Sequence, residues 1–152
     1  MDTYIDALLH IVFSLFAGLI AWKVVGTKNK KNLILSLIAA LIAGVGIDID
    51  HFIDYFLAYG FTFNYQDFIH GANFFSTGKT YILFHGFEYA AFAGILSILT
   101  KNKKAKTIFL ALSLGMLFHL LVDIFLLAIP FKIYFILYRL INNFNIQMPF
   151  HK

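Results

Sequence analysis

Cysteine is absent from the 152 residues of this chain. Its absence excludes thiolate metal sites, thiol nucleophiles and disulfide bonds. Any metal ion bound by the side chains must therefore rely on nitrogen and oxygen ligands.

Charged side chains are also scarce, at 13% of the residues, whereas ordinary soluble domains carry about 25%. Hydrophobic residues make up 61% of the chain, and the mean hydropathy is +0.80. A single soluble domain of this length could not bury so much apolar surface. The composition therefore predicts a multi-span membrane protein.

The net charge of +4 reflects two short lysine clusters, in the turns Gly26–Asn32 and Thr100–Lys106. Two short clusters do not make a nucleic-acid-binding face, and no nucleic-acid partner is expected. By the positive-inside rule, both turns lie on the cytoplasmic side of the plasma or inner membrane. Both termini then lie on the non-cytoplasmic side.

Four apolar runs separate these turns and predict an all-α, polytopic membrane helix bundle that forms a single domain over residues 1–152. The predicted transmembrane helices cover about residues 4–25, 33–59, 81–99 and 107–129. Residues 60–80 are interpreted as an interfacial loop. The tail, residues 131–152, is interpreted as an amphipathic C-terminal interfacial helix, with a short or tilted fifth span as the alternative. We expect its Arg139 to snorkel to the headgroups, with a grip on a phosphate at the outer face as the alternative.

The most unusual stretch is Gly44–Asp54, at the end of the second apolar run. It places three carboxylates and one imidazole within seven residues, Asp48, Asp50, His51 and Asp54. An Asp at the centre of a transmembrane helix costs roughly 2.5–3.5 kcal/mol on insertion scales. Groups that cost so much usually persist in a membrane because they bind something.

Ionisable side chains from all four predicted spans lie at one depth. Counted from the nearest lysine turn at 1.5 Å per residue, each lies roughly 18–28 Å from the inner surface. The residues in this layer are His10, Asp48, Asp50, His51, His85, Glu88, His119 and Asp123. We therefore expect them to meet in the outer half of the membrane.

The spacing within each helix agrees with a shared site, since His119 and Asp123 are separated by four residues and share a helix face. Asp48 and Asp50 do not share a helix face, because residues two positions apart are separated by about 200° around a regular helix. Both can point at one ion only if the helix is distorted, for which Gly44 and Gly46 provide a reason. We favour Asp50 and His51 as the firmer ligands. Glu88, or the aspartate that is not a ligand, is the expected general base.

Histidine and carboxylate side chains from several helices are typical of metal sites inside helix bundles, which hold one or two ions. This ligand set suits a divalent metal, with Zn²⁺ favoured and Mn²⁺ or Fe²⁺ as alternatives. An open coordination position on such an ion would lower the pKa of bound water toward about 7.

The stretch Gly46-Ile47-Asp48-Ile49-Asp50-His51, together with His119-Leu120-Leu121-Val122-Asp123, resembles the YdjM-type family of membrane-bound metal-dependent hydrolases. A related pattern occurs in zinc-dependent phospholipase C-like proteins. The resemblance implies metal-ligand roles for His10, Asp48, Asp50, His51, His85, His119 and Asp123. The chain departs from the family pattern around His85, where the family has Arg-Gly-x-x-His-Ser.

Two functional hypotheses follow. In the first, the protein is a membrane-embedded hydrolase that acts on a lipid-linked ester or phosphoester near the outer face, with Glu88 and Asp48 as catalytic residues. In the second, the cluster is a structural metal site or a metal or proton transport site. Transport requires a polar path to the inner face, and residues 34–43 and 108–116 contain no ionisable side chain. The hydrolase is therefore favoured.

Overall fold

The computed structural model describes residues 3–71, 76–126 and 128–146, with side chains from residue 5 onward. Every regular element in these ranges is helical and none is a strand, which confirms the all-α class. The helices are α1 (Thr3–Val25), α2 (Lys30–Gly44), α3 (Asp50–Tyr59), α4 (Tyr65–Ile69), α5 (Phe87–Leu99), α6 (Lys103–Leu126) and α7 (Ile136–Ile141), with 3-10 helices at Gly46–Ile49 and Phe131–Tyr134. Within the tail, residues 147–152 lie outside the described part.

Two helices are long and apolar enough to cross a membrane, namely α1 over Ile5–Val25 and α6 over Lys103–Leu126. The pair formed by α2 and the segment Gly46–Tyr59 counts as a third if it is one broken span. Two or three apolar helices of this kind fit the predicted membrane protein.

The predicted second span, residues 33–59, is interrupted where distortion was expected. Its two halves meet at a bend of 40°. Val45 leaves helical geometry at φ −129° and ψ −40°, although its N–H still bonds the carbonyl oxygen of Leu41. The 3-10 turn Gly46–Ile49 follows and changes the direction in which Asp48 and Asp50 point.

The predicted third span and tail differ more from regular helices. Residues 81–86 form a loop, so α5 begins only at Phe87 and has 13 residues. In the tail, Pro130 precedes a 3-10 turn, and α7 has only 6 residues.

Helix α6 lies at the centre of the bundle and packs against α1, α2 and α5. Small side chains allow the close approach, with Ala17, Ala21, Ala39, Ala40 and Ala111 all buried in one cluster. Hydroxyl groups add bonds between helices, since Ser36 Oγ donates to the Gly18 carbonyl over 2.7 Å and Ser113 Oγ to the Ala90 carbonyl over 2.8 Å. Many large apolar side chains of α1, such as Leu8 and Phe16, are exposed, as lipid-facing residues would be.

A second buried cluster joins the C-terminal segment to the loop before α5. It contains Ile82, Leu120, Ile129, Ile133, Tyr134 and Ile146. Thr80 reinforces the joint, because its N–H donates to the Phe144 carbonyl over 3.0 Å and its hydroxyl to the Ile146 carbonyl over 2.8 Å. The loop and the C-terminal segment thus close the end of the bundle where the ionisable residues lie.

Candidate metal centre

The seven residues predicted as ligands form one connected cluster in the structure. Helix α1 supplies His10, the bend between α2 and α3 supplies Asp48, Asp50 and His51, the loop before α5 supplies His85, and α6 supplies His119 and Asp123. Each has a nitrogen or carboxylate oxygen within 3.5 Å of another member. The predicted meeting of these seven residues is therefore present as side-chain contact.

Three ligand atoms converge at the centre of this cluster. Asp48 Oδ1 lies 3.2 Å from His85 Nε2 and 3.4 Å from His119 Nε2. The two imidazole Nε2 atoms lie 3.0 Å from each other. Asp48, His85 and His119 form one of three groups in the described chain whose geometry could hold a metal ion.

The hydrogen bonds of the two Nδ1 atoms determine whether each Nε2 atom carries a hydrogen or a lone pair. His119 Nδ1 lies 2.8 Å from the carbonyl oxygen of Gly44, which can only accept, so His119 Nδ1 carries the hydrogen. His85 Nδ1 lies 3.0 Å from Asp50 Oδ2, which is likewise an acceptor when ionised. In two neutral imidazoles bonded in this way, both Nε2 atoms carry lone pairs that face each other. Such a contact requires a positive charge between them.

The distances fit a bound divalent cation. With metal–nitrogen bonds of about 2.0–2.1 Å, neighbouring ligands in tetrahedral to octahedral coordination lie about 2.9–3.4 Å apart. The three distances among Asp48 Oδ1, His85 Nε2 and His119 Nε2, which are 3.0, 3.2 and 3.4 Å, fall in that range. Hydrogen bonds from the second ring nitrogen to a carbonyl and a carboxylate are the usual support of metal-binding histidines.

Asp50 and Asp54 hold the loop that carries His85. Asp50 Oδ2 accepts the Phe84 N–H over 2.6 Å in addition to the His85 ring. The two oxygens of Asp54 accept the N–H groups of Tyr81 and Ile82 over 2.9 and 2.8 Å. Both carboxylates are buried, so these bonds fix both the backbone of the loop and the orientation of the His85 ring.

Asp123 lies on the other side of His119 and connects it to α1. Its Oδ2 is 3.4 Å from His119 Nε2, and its Oδ1 is 3.2 Å from His10 Nε2. Tyr134 donates its hydroxyl to Asp123 Oδ2 over 2.8 Å. Burial, with the Asp123 carboxylate beside it, raises the pKa of the Tyr134 phenol well above its usual range, so Tyr134 remains a donor.

The cluster is buried on one side and accessible on the other. The side chains of His85 and His119 are 1% exposed, whereas that of Asp48 is 40% exposed. His51 Nε2 lies 3.5 Å from Asp48 Oδ1 on the accessible side, and 34% of its side chain is exposed. A molecule approaching the centre would therefore meet Asp48 and His51 first.

The structure places Glu88 at the C-terminal segment. Its Oε1 accepts the backbone N–H of Leu137 over 3.3 Å, and Glu88 belongs to none of the three metal-capable groups of the described residues. The loop histidine His70 also lies outside these groups, with Nδ1 on the Gln66 carbonyl at 2.7 Å.

Sequence reasoning missed the role of Arg139. Its side chain is 0% exposed, so the interpretation as a headgroup-seeking residue is wrong. The guanidinium donates to the carbonyl oxygens of His85, Ile133 and Ile82 over 2.7, 2.6 and 3.1 Å. These contacts fasten the His85 loop to the C-terminal segment. No sequence signal could have found them, because the partners are backbone atoms up to 57 residues away.

Replacing Arg139 by Met should weaken metal binding by about 10-fold or more, because the His85 loop loses its two hydrogen bonds from the guanidinium while the side-chain stem keeps its volume. Arg139→Lys should recover part of the loss. The measurement is competition for Zn²⁺ or Mn²⁺ against a chelator in detergent. Lys132→Met is the control, since Lys132 is an exposed cation of the same segment. Equal affinities of Arg139→Met and wild type would show that the loop is positioned without Arg139.

Comparison with known proteins adds no identification. No family model matches the chain, no curated protein matches its sequence, and no solved structure matches its fold. The resemblance to the YdjM-type family therefore stays a prediction. Over its described residues the structure is all-helical, with two or three helices apolar enough for a membrane and a buried His/Asp cluster that could hold a metal ion.

Proposed function

We propose that the chain is a membrane-embedded, metal-dependent hydrolase that acts on a lipid-linked ester or phosphoester near the outer membrane face. The observation that carries this proposal is the convergence of Asp48 Oδ1, His85 Nε2 and His119 Nε2 at 3.0–3.4 Å. Three acceptor atoms at these distances, with both Nδ1 atoms already bonded, are best explained by a divalent cation.

The uneven burial supports catalysis over a purely structural metal. Structural zinc sites are closed by four protein ligands, whereas catalytic sites combine three protein ligands with an open position. Here the two histidines are buried, and the exposed side of Asp48 leaves room for a further ligand. This asymmetry is what a site needs if substrate and water are to enter.

In this proposal Asp48 takes the ligand role that the sequence predicts for Asp50. Asp48, His85 and His119 would hold the ion, and Asp50 would orient His85 through its ring N–H. A divalent cation at this position would polarise a phosphoryl or carbonyl oxygen and acidify water. His51 is the general base that geometry favours over Glu88, because it lies beside Asp48 on the accessible side.

The proposed membrane topology places this centre where a lipid headgroup would be. Four crossings would be made by α1, the bent pair α2–α3, the loop with α5, and α6, with both lysine turns on the cytoplasmic side. His119 and Asp123 lie 13 and 17 residues beyond Lys106, the last residue of the lysine turn. At 1.5 Å per residue, that is roughly 20–26 Å from the inner surface. The C-terminal segment would lie at the outer interface.

The second candidate function is structural, with a proton in the place of the cation. His85 lies between Asp48 Oδ1 at 3.2 Å and Asp50 Oδ2 at 3.0 Å. An imidazolium at His85 would donate to both carboxylates and would make the cluster an ion-pair network that stabilises the bundle. A folded, stable protein that binds no divalent metal would favour this alternative.

The test is hydrolysis of a panel of lipid phosphoesters and lipid carboxylic esters by metal-loaded protein in detergent. We expect product release by wild type and a loss of about 100-fold or more in Asp48→Asn, which keeps the shape and removes the charge. Asp67→Asn is the control, since Asp67 lies in α4 outside the cluster. Metal-loaded, folded wild type that hydrolyses no member of the panel would overturn the enzymatic proposal and leave the metal centre standing.

A further inference from the structure

Positive charge is concentrated at the end of the bundle opposite to the candidate metal centre. Residues 7–47 and 89–122 contain no aspartate or glutamate, so every carboxylate side chain of the sequence lies outside them. The same two stretches carry eight lysines, in or beside the turns that join α1 to α2 and α5 to α6. We call these residues the lysine end: Lys23, Lys28, Lys30, Lys31, Lys101, Lys103, Lys104 and Lys106.

The two lysine turns meet because α2 and α6 run in parallel with a fixed register. A Cβ at Gly115 would lie 2.5 Å from the Ala40 carbonyl oxygen, and His119 Nδ1 lies 2.8 Å from the Gly44 carbonyl oxygen. In both pairs the two residue numbers differ by 75. Continued to the beginning of both helices, this register places the first turns of α2 and α6 side by side. The two turns therefore form one surface.

The charge of this surface is not neutralised by the protein. Among the described residues, none of the eight lysines forms an ion pair with a carboxylate. All are exposed except Lys106, which is half-buried. The ammonium groups are therefore available to a partner.

Helix polarity adds to the positive potential. The N-terminus of a helix carries partial positive charge, and acidic side chains are favoured there. The first turns of α2 and α6 contain no acidic residue and begin instead with Lys30 and Lys103. The caps are neutral as well, because the side chains of Asn29 and Asn102 accept the first backbone N–H groups. This arrangement is unfavourable for the chain alone and becomes favourable when anions lie against it.

Apolar surface directly adjoins the lysine end and indicates which anion fits. Val24 follows Lys23 and is exposed, and Leu99 is exposed two residues before Lys101. Ile34, one turn into α2, is exposed as well. In a membrane protein such side chains face lipid, so the ammonium groups lie where hydrocarbon gives way to headgroups. A phospholipid matches both the charge and the adjoining apolar surface, whereas a soluble polyanion matches only the charge.

We propose that the lysine end binds the phosphate groups of anionic phospholipids in the cytoplasmic leaflet. The positive-inside rule places both turns at that leaflet. Clusters of 4–8 basic residues beside membrane helices are typical of surfaces for anionic lipids, and each lysine strengthens binding by about fivefold. This inference does not depend on the metal centre or on hydrolytic activity.

The experiment titrates fluorescently labelled phosphatidylglycerol into the full chain in a neutral detergent and follows its anisotropy, with phosphatidylcholine of the same acyl chains as the reference. We expect phosphatidylglycerol to bind more than about 10-fold more tightly, with a preference that falls at high salt. Lys30→Gln combined with Lys31→Gln should lower its affinity by about 25-fold. Lys79→Gln combined with Lys132→Gln is the matched control, because both lysines are exposed outside the lysine end, and it should leave the affinity unchanged.

A second pair of substitutions tests whether the two turns act as one surface. Lys103→Gln combined with Lys104→Gln should lower the affinity as much as the pair in α2. Both double variants should unfold at or above the wild-type temperature without lipid, since lysine beside a helix N-terminus is unfavourable, and this readout separates lost binding from lost folding. A loss in only one double variant would overturn the shared surface.

Equal affinities for the two lipids, or full affinity in both double variants, would overturn the proposal. Inorganic phosphate and a single-stranded oligonucleotide serve as soluble competitors. Tighter binding of either than of phosphatidylglycerol would assign the surface to a soluble anion and overturn the proposal as well.

Discussion

His119→Gln should reduce the metal affinity of the purified protein by more than about 100-fold, the largest effect of any single substitution. The reason is its position, since His119 Nε2 lies within 3.4 Å of Asp48, His85 and Asp123. Glutamine keeps a polar side chain of similar reach without the imidazole lone pair. Elemental analysis and chelator competition in detergent would measure the loss.

The control is the same exchange at His70, an exposed histidine outside the cluster whose Nδ1 lies 2.7 Å from the Gln66 carbonyl oxygen. His70→Gln should leave the metal content unchanged. Retention of full metal content by His119→Gln would contradict the central position assigned to this residue.

Gly115→Ala should lower the free energy of unfolding by about 1–3 kcal/mol and weaken metal binding as well. A Cβ atom at Gly115 would lie 2.5 Å from the Ala40 carbonyl oxygen and 3.0 Å from Ala40 Cα. Both are backbone atoms that cannot rotate away, so α6 and α2 must separate. Separation would also lengthen the bond between His119 Nδ1 and the Gly44 carbonyl, now 2.8 Å.

Thermal unfolding in detergent, with and without metal, would measure both effects. Gly94→Ala is a matched control within α5, because a Cβ there meets only side-chain atoms of Ser113, the nearest at 3.1 Å. That change should be close to neutral, since alanine favours helix over glycine by up to about 1 kcal/mol. Equal stability of the two variants would contradict the close α2–α6 contact.

The contact between His10 and Asp123 could be predicted because both residues lie on regular helices. Counting 1.5 Å per residue from the lysine turns places His10 and Asp123 at similar depth, although 113 positions separate them in the chain. In the structure they lie 3.2 Å apart. The same count includes Glu88, because depth does not specify the direction in which a side chain points.

The positions of the Asp48 and Asp50 carboxylates could not be predicted, because they depend on irregular backbone. The 3-10 turn at Gly46–Ile49 brings Asp48 Oδ1 close to His85 and His119. Asp50 instead accepts the N–H of Phe84, in a loop 34 residues further along the chain. Helical periodicity carries no information about such a partner.

The position of the C-terminal segment could not be predicted either. An apolar tail with a lone arginine is typical of an interfacial helix, and its residues show no periodicity that points to the bundle. The structure folds it back, so that Tyr134 donates to Asp123 and Arg139 to the His85 carbonyl. These contacts depend on tertiary packing that the sequence pattern does not contain.

X-ray absorption at the metal edge of Zn²⁺-loaded protein tests the central claim most directly, because it reports the ligands of the ion without a substrate. The account predicts nitrogen and oxygen ligands at about 2.0–2.1 Å, with the outer-shell scattering of at least two imidazoles. That imidazole signal should fall in His85→Gln and His119→Gln. An ion ligated only by oxygen, or protein that retains no metal after removal of excess, would contradict it.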